Sequence, residues 1–191
     1  MKIDIELNKK SIKDAIKVLK AQKKVLTDNV VPEYLYRSAL WIQRKANEIL
    51  DGSDIGNDVK LQIKRNWHII QPTKNHVVLY NMSWKSAYVE FGVGIIGEVF
   101  NHPNASNANW EYNLPTEHKY ADGGWFFSVN DESELDIPQD RIDKRVISID
   151  GEIGIYTRGT QGVWYLFNAV EDFKLREAKR LWEEIKKKYW S

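Results

Sequence analysis

The sequence predicts an α+β fold: an antiparallel sheet packed against two N-terminal helices and one long C-terminal helix, with a long polar loop inserted. Three observations lead there. Apolar residues recur at helical spacing from Lys9 to Leu50 and again from Leu166 to Trp190. Between them lie short runs rich in β-branched and aromatic residues, bounded by turn residues. Helices and strands are grouped more than alternated, which disfavours a doubly wound parallel sheet. At 191 residues the chain is expected to be a single domain, 1–191, in which 95–123 is an inserted loop. A chain of this length buries roughly 70% of its unfolded surface and needs no disulfides to hold a core.

Lys2 to Leu7 alternates Ile3, Ile5 and Leu7 with Lys2, Asp4 and Glu6, which predicts a half-buried strand. Asn8 suits the N-cap of a helix over Lys9–Leu26. Its stripe is Ile12, Ile16, Leu19 and Leu26, widened by Ala15, Val18 and Val25. Lysines at 9, 10, 13, 17, 20, 23 and 24 cover the outer face, a solvated surface or a weak anionic contact. Thr27, Asp28 and Asn29 predict a break, and Pro32 suits the first turn of a second helix. Leu35, Ala39, Ile42, Ala46 and Ile49 carry that helix to Leu50, and Asp51, Gly52 and Ser53 stop it. The two helices either pair as a hairpin or the second lies on a sheet.

Val59 to Ile70 reads as extended and His76 to Met82 as a second strand, with Pro72 to Asn75 as the turn of an antiparallel hairpin. Ser83 is positioned to cap a short helix. Residues 95–123 are polar and turn-rich, punctuated by Trp110, Tyr112 and Tyr120. Trp125 to Val129 returns to strand character. An acidic segment from Asp131 to Asp143 follows, then strands over Arg141–Ile149 and Glu152–Tyr156 joined by Asp150-Gly151, a strong hairpin signal. Thr157 to Gly162 leads into the last helix, whose apolar face is Leu166, Val170, Phe173, Ala178, Leu181 and Ile185.

Composition narrows the function classes. The chain has no cysteine, which removes thiol catalysis and zinc–cysteine sites and suits a reducing compartment. No apolar run reaches membrane-spanning length, and the N-terminus lacks a signal-peptide core. A net charge of +1 disfavours a strongly basic nucleic-acid binder. Eight tryptophans and nine tyrosines fit core padding or interface use. His68, His76, His102 and His118 are not at ligand spacing, so no metal is expected. No Gly-x-Ser-x-Gly elbow, phosphate loop or dinucleotide fingerprint occurs, so no catalytic set and no cofactor is expected.

Two runs remain. Ala87-Tyr88-Val89-Glu90-Phe91-Gly92-Val93-Gly94 packs two aromatics, a carboxylate and two glycines into one unit. A helical turn puts Ala87, Tyr88 and Phe91 on one face and turns Glu90 elsewhere. Gly92 is free to leave the helix with a positive φ. The unit reads as a docking element; the alternative is that Tyr88 and Phe91 simply pack the helix on the sheet. The second run, Thr157-Arg158-Gly159-Thr160-Gln161-Gly162, precedes a helix. It reads as a turn in which Thr160 caps that helix, or as an anion site at the helix N-terminus. Arg158 is also suited to pair with a carboxylate of a neighbouring subunit.

The first run, with the element order around it, resembles the minor tail-component family of long-tailed bacteriophages, the gene-product-ten-like neck and tail-completion proteins. Members carry a Tyr-Ala-x-Tyr-Val-Glu-Phe-Gly-Thr-Gly-like segment. Ala87, Tyr88, Val89, Glu90, Phe91, Gly92 and Gly94 match it, and Val93 replaces the threonine. An Ala-Pro-x-x-Thr-Gly-x-Leu segment found in members is represented here only by Gly56, after Ser53, Asp54 and Ile55. The resemblance implies a structural protein, not an enzyme, acting in head–tail joining or tail completion without a cofactor. It implies a homo-oligomeric ring, often hexameric, that contacts other neck or tail proteins, with DNA passing through but not read by sequence. It places the protein in the virion, and in the host cytoplasm during assembly. Tyr88, Glu90, Phe91, Gly92, Gly94, Trp110, Tyr112 and Arg158 are the candidate assembly residues. Alternatives are a small-ligand or nucleic-acid binding module, and a hydrolase using loop carboxylates or histidines.

Overall fold

The computed structural model describes residues 9–112, 125–128, 144–149, 152–157 and 159–190. The protein is a mixed, α+β structure. The expected first strand, Arg158, the Asp150-Gly151 turn and the whole acidic segment lie outside the described residues.

The chain enters as α1 (Lys9–Val25), passes through one π turn (Leu26–Val30) and continues as α2 (Val31–Asp51). The break expected at Thr27–Asn29 does not occur, so the two helices form no hairpin. Thr27 Oγ1 donates back to the carbonyls of Lys23 and Lys24. Its hydroxyl is thereby satisfied inside the helix and does not compete for a cap. The Val31 N–H returns to the Leu26 carbonyl, one residue wider than an α turn. That wider turn stands where Pro32, lacking an N–H, would crowd the carbonyl a turn before it. α2 ends at Asp51, as its stop signal predicts.

A second correction concerns the segment after it. Of the segment expected to be extended, Val59–Ile70, the first part lies in α3 (Asn57–Arg65), and the strand is confined to Trp67 onward. Val59, Leu61 and Ile63 satisfy strand alternation, but Val59 and Ile63 also stand one helical turn apart. Asp58 in the first turn and Lys64 and Arg65 in the last complement the helix dipole. Ile63 is fully buried and Leu61 exposed, the outcome of the helical period.

β1 (Trp67–Thr73) and β2 (His76–Asn81) form the expected antiparallel hairpin. α4 (Trp84–Phe91) follows, with Ser83 at the N-cap position but without a side-chain cap bond. Then come β3 (Gly92–Val93) and α5 (Gly94–Val99). The expected long loop 95–123 therefore opens with a helix and a series of turns, and its latter part lies outside the described residues. β4 (Trp125–Ser128), β5 (Lys144–Ile149), β6 (Glu152–Thr157) and β7 (Gly159–Gln161) precede α6 (Tyr165–Asp172). A π turn (Phe173–Glu177) joins α6 to α7 (Ala178–Trp190).

The one antiparallel sheet expected is instead three small ones among the described residues: β1–β2, β3–β7 and β4–β6–β5. β3 has only two residues because Gly92 turns the chain out of α4 and α5 begins at Gly94. Two compact units divide the chain. One comprises Met1–Ile49, Lys64–Met82 and Asn168–Ser191; the other comprises Leu50–Ile63 and Ser83–Phe167.

In the first unit Val30, Phe173, Leu181 and Ile185 form a buried cluster, with Tyr34, Trp41, Ile42, Trp182 and Tyr189 packed against it. Tyr34 meets Trp182 edge-on at 5.4 Å, and Trp41 meets Phe173 at 5.6 Å. Outside it, Glu33 accepts from Lys188 at 2.7 Å and from the Tyr189 hydroxyl at 2.8 Å. The Lys188 hydrogen bond is the main cause holding the Glu33 carboxyl below its usual range.

Phe173→Ala is expected to lower unfolding free energy by about 3–5 kcal/mol, because it empties the centre of this cluster. The neighbouring exposed Leu175→Ala should stay within about 0.5 kcal/mol of the parent. Urea unfolding followed by tryptophan fluorescence measures both.

Candidate functional site

The second unit is organised by the meeting of two helix ends. α4 stops at Phe91, and its last carbonyls have no partner within the helix. The Gly92 N–H bonds the Tyr88 carbonyl; Gly92 holds φ at 80°, which favours glycine. The next two carbonyls are met from the far end of the unit. The Val163 N–H donates to the Val89 carbonyl at 2.7 Å, and the Trp164 N–H donates to the Glu90 carbonyl at 3.2 Å.

α6 begins at Tyr165, and its first N–H groups also need acceptors. Glu90 supplies them from its side chain. The Leu166 N–H donates to Oε2 and the Phe167 N–H to Oε1, each at 2.8 Å. Nothing in the local sequence caps this helix: the residue before it is Trp164, and Thr160 lies in β7. The reading of Thr160 as the cap is thus corrected. The anion that the helix N-terminus invites is the chain's own carboxylate.

Such a junction requires close backbone approach. A Cβ on Gly162 would stand 2.3 Å from the Glu90 carbonyl oxygen and 2.6 Å from the Phe91 carbonyl carbon. Only glycine fits there. β3 and β7 extend the same contact, pairing Gly92 with Gln161 and Val93 with Thr160.

Glu90 is buried, and a third donor completes its carboxylate shell. His102, also buried, lies with Nε2 3.1 Å from Oε1. The Asn104 N–H donates to His102 Nδ1 at 3.0 Å, so Nδ1 is the acceptor nitrogen. The proton therefore sits on Nε2 and points at Glu90. The His102 N–H donates to the Tyr112 hydroxyl, which in turn donates to Asn101 Oδ1. Rings enclose the imidazole: Phe91 at 4.6 Å, Phe167 at 5.2 Å and Trp164 at 5.6 Å. With both nitrogens engaged inside an aromatic wall, His102 has no lone pair left for general-base work.

An aromatic ladder runs outward from there. Phe91 stacks on Trp110 at 5.1 Å, and Trp110 Nε1–H donates to the Gly92 carbonyl at 3.1 Å. Trp110 meets Tyr88 edge-on, and Tyr88 meets Trp84 edge-on. Tyr88 is 44% exposed and Trp84 70% exposed, so the ladder ends in solvent. Two features carry a cost. Trp164 holds a left-handed φ of 56°, and its buried Nε1–H has no partner among the described residues.

Of the sequence-predicted residues, Tyr88, Glu90, Phe91, Gly92, Trp110 and Tyr112 come together here. Gly94 starts α5, next to β3. Sequence reasoning did not reach His102 as the Glu90 partner, nor Gly162 or the Leu166 and Phe167 amides. The one available signal was a helix start without Ser, Thr, Asp or Asn before it, which calls for a cap from elsewhere. Behind the junction, Ser86 Oγ and the Tyr165 hydroxyl share a 2.6 Å hydrogen bond. Tyr165 is fully buried, and burial pushes its hydroxyl up to about 12. Among the described residues no group of three or more His, Asp or Glu side chains gathers as a metal site. Comparison with protein-family models, curated proteins and solved structures finds no match.

Glu90→Gln is expected to destabilise the protein by about 3 kcal/mol, since an amide NH2 would face donors where a carboxylate accepts three bonds. Gly162→Ala should cost about as much, through the backbone clash. Chemical unfolding of each variant checks both. The Tyr165 hydroxyl is more acidic in the unfolded chain, at about 10. Its contribution is therefore complete below about pH 10 and is lost as pH rises toward 12, amounting to about 2–3 kcal/mol. Stability measured across that range should fall more steeply in the parent than in Tyr165→Phe.

Proposed function

We propose that the chain is a structural virion protein of phage head–tail joining or tail completion, acting by ring assembly and protein contacts. The observation that carries this reading is the outer end of the aromatic ladder. The eight-residue segment that carries the resemblance keeps Glu90 and Phe91 inside its own unit and presents Tyr88, beside Trp84, to solvent. Large aromatics with one edge packed and one edge exposed are the residue types that dominate binding energy at protein interfaces. Trp110 and Phe91 hold the pair in place from behind, so little rotamer freedom is lost on docking.

In this reading the junction of α4 and α6 is the frame and the Trp84–Tyr88 edge is the contact. Neighbouring subunits of a ring, a hexamer in the family's usual form, or another neck or tail protein would cover it. The buried, fully bonded Glu90–His102 pair supports a positioning role for these groups rather than turnover of a substrate.

Mass photometry over a concentration range, followed by negative-stain imaging, tests the proposal. Discrete rings are expected, alone or on a purified tail or connector. Trp84→Ala and Tyr88→Ala should weaken the association tenfold or more, on the order of a hot-spot loss, while leaving most of the unfolding free energy in place. A chain that stays monomeric and fails to bind a purified tail or connector would overturn it.

A further inference from the structure

Among the described residues of the first unit, half of an apolar helix face is left exposed. On α1, Ala15 is buried and Val18, Gln22 and Val25 are half-buried. The adjoining stripe, Ile12, Ile16 and Leu19, steps by four and three residues along the same helix and is 43%, 47% and 54% exposed. Scattered single apolar residues on a surface need no explanation; three in register on one stripe do. Toward its C-terminal end the stripe runs into an open groove of about 530 Å³ lined by Leu19, Gln22, Lys23, Leu26 and Trp190.

Charge identifies the kind of occupant. Lys13, Lys17, Lys20, Lys23 and Lys24 are exposed, and none takes part in an ion pair among the described residues. By helical angle, Lys13, Lys17, Lys20 and Lys24 form a row along the open edge of the stripe. Asp14 is the one acidic residue of α1. A second copy of α1 laid antiparallel on this face would bring the two lysine rows to the same side, and one laid parallel would set Lys23, which lies on the stripe itself, against its own copy; both are repulsive. A flat lipid surface has nothing to enter the groove between Leu19, Leu26 and Trp190. A helix with apolar residues at i, i+3, i+4 and i+7 and carboxylates on one flank meets both requirements: its anchors fill the stripe and groove, and its acids meet the lysine row.

We propose that the Ile12–Leu19 stripe of α1 and the groove beside Trp190 form a docking site for an acidic amphipathic helix of a partner protein. The site lies in the first unit, and the proposal does not depend on ring assembly through the Trp84–Tyr88 edge.

The test uses the full chain and a fluorescein-labelled synthetic helical peptide with leucines at i, i+3, i+4 and i+7 and glutamates on the flanks. Anisotropy should show saturable binding that weakens as salt is raised. Leu19→Ser, at an exposed position, should weaken binding about tenfold or more. The double variant Lys17→Glu, Lys20→Glu should lose the glutamate peptide and gain an otherwise identical lysine-flanked peptide, a reversal that unfolding cannot produce. The proposal is overturned if the glutamate peptide does not bind, or if the parent binds the lysine-flanked peptide equally well. It is also overturned if phosphatidylserine vesicles bind the chain with the same dependence on Leu19, or if Leu19→Ser abolishes self-association of the chain alone.

Discussion

A single carboxylate, that of Glu90, accepts hydrogen bonds from the Leu166 and Phe167 amides that open α6 and faces the Nε2–H of His102, while the same residue's backbone carbonyl takes the Trp164 N–H. Helix ends are where buried backbone groups are most often left without partners. Here the carbonyl-rich end of one helix faces the amide-rich end of another, and each supplies what the other lacks. The negative end of α4 and the carboxylate both lie against the positive end of α6, so dipole and charge act in the same direction.

The composition of the neighbourhood follows from that splice. Gly162 is required because the two backbones approach within reach of a Cβ. Gly92 is required because the chain leaves α4 with a positive φ. A carboxylate is required because all three of its neighbours donate; Gln would present a donor, and Asp is one methylene shorter. His102 is fixed as a donor by the Asn104 amide on its other nitrogen, and the aromatic wall of Phe91, Trp164 and Phe167 excludes the water that would compete. The left-handed Trp164 is the strained element that the surrounding bonds hold in place.

Much of the fold was legible in the sequence, and the misses have local causes. The α+β class, the β1–β2 hairpin, the stop after α2 and the β5–β6 pair follow from periodicity and turn residues. Thr27–Asn29 carries turn chemistry but sits inside a helical run, because Thr27 bonds back into its own helix and a π turn takes up Pro32. Val59, Leu61 and Ile63 fit two periods, and burial of Ile63 with exposure of Leu61 selects the helical one. The division of the strands into three small sheets depends on pairings between distant residues, which periodicity does not encode. At the site, the importance of Ala87–Gly94 and the anion-seeking helix after Gly162 were both readable as separate features. That they answer each other across 76 residues of sequence was not, because no local pattern links them.

The segment therefore has an inner and an outer side. Glu90, Phe91 and Gly92 hold the second unit together, while Tyr88, with Trp84 before it, reaches solvent; contact through that edge, and docking on the α1 stripe of the first unit, are the two roles proposed above. The inner side is a helix cap supplied by the same chain from 76 residues away. Amide hydrogen exchange at Leu166 and Phe167, read by NMR, measures this directly. First-turn helix amides ordinarily exchange fast, having no intrahelical acceptor. Both are expected to exchange as slowly as amides in the middle of α6, and Glu90→Gln to release these two selectively. Fast exchange at both positions in the parent protein would contradict it.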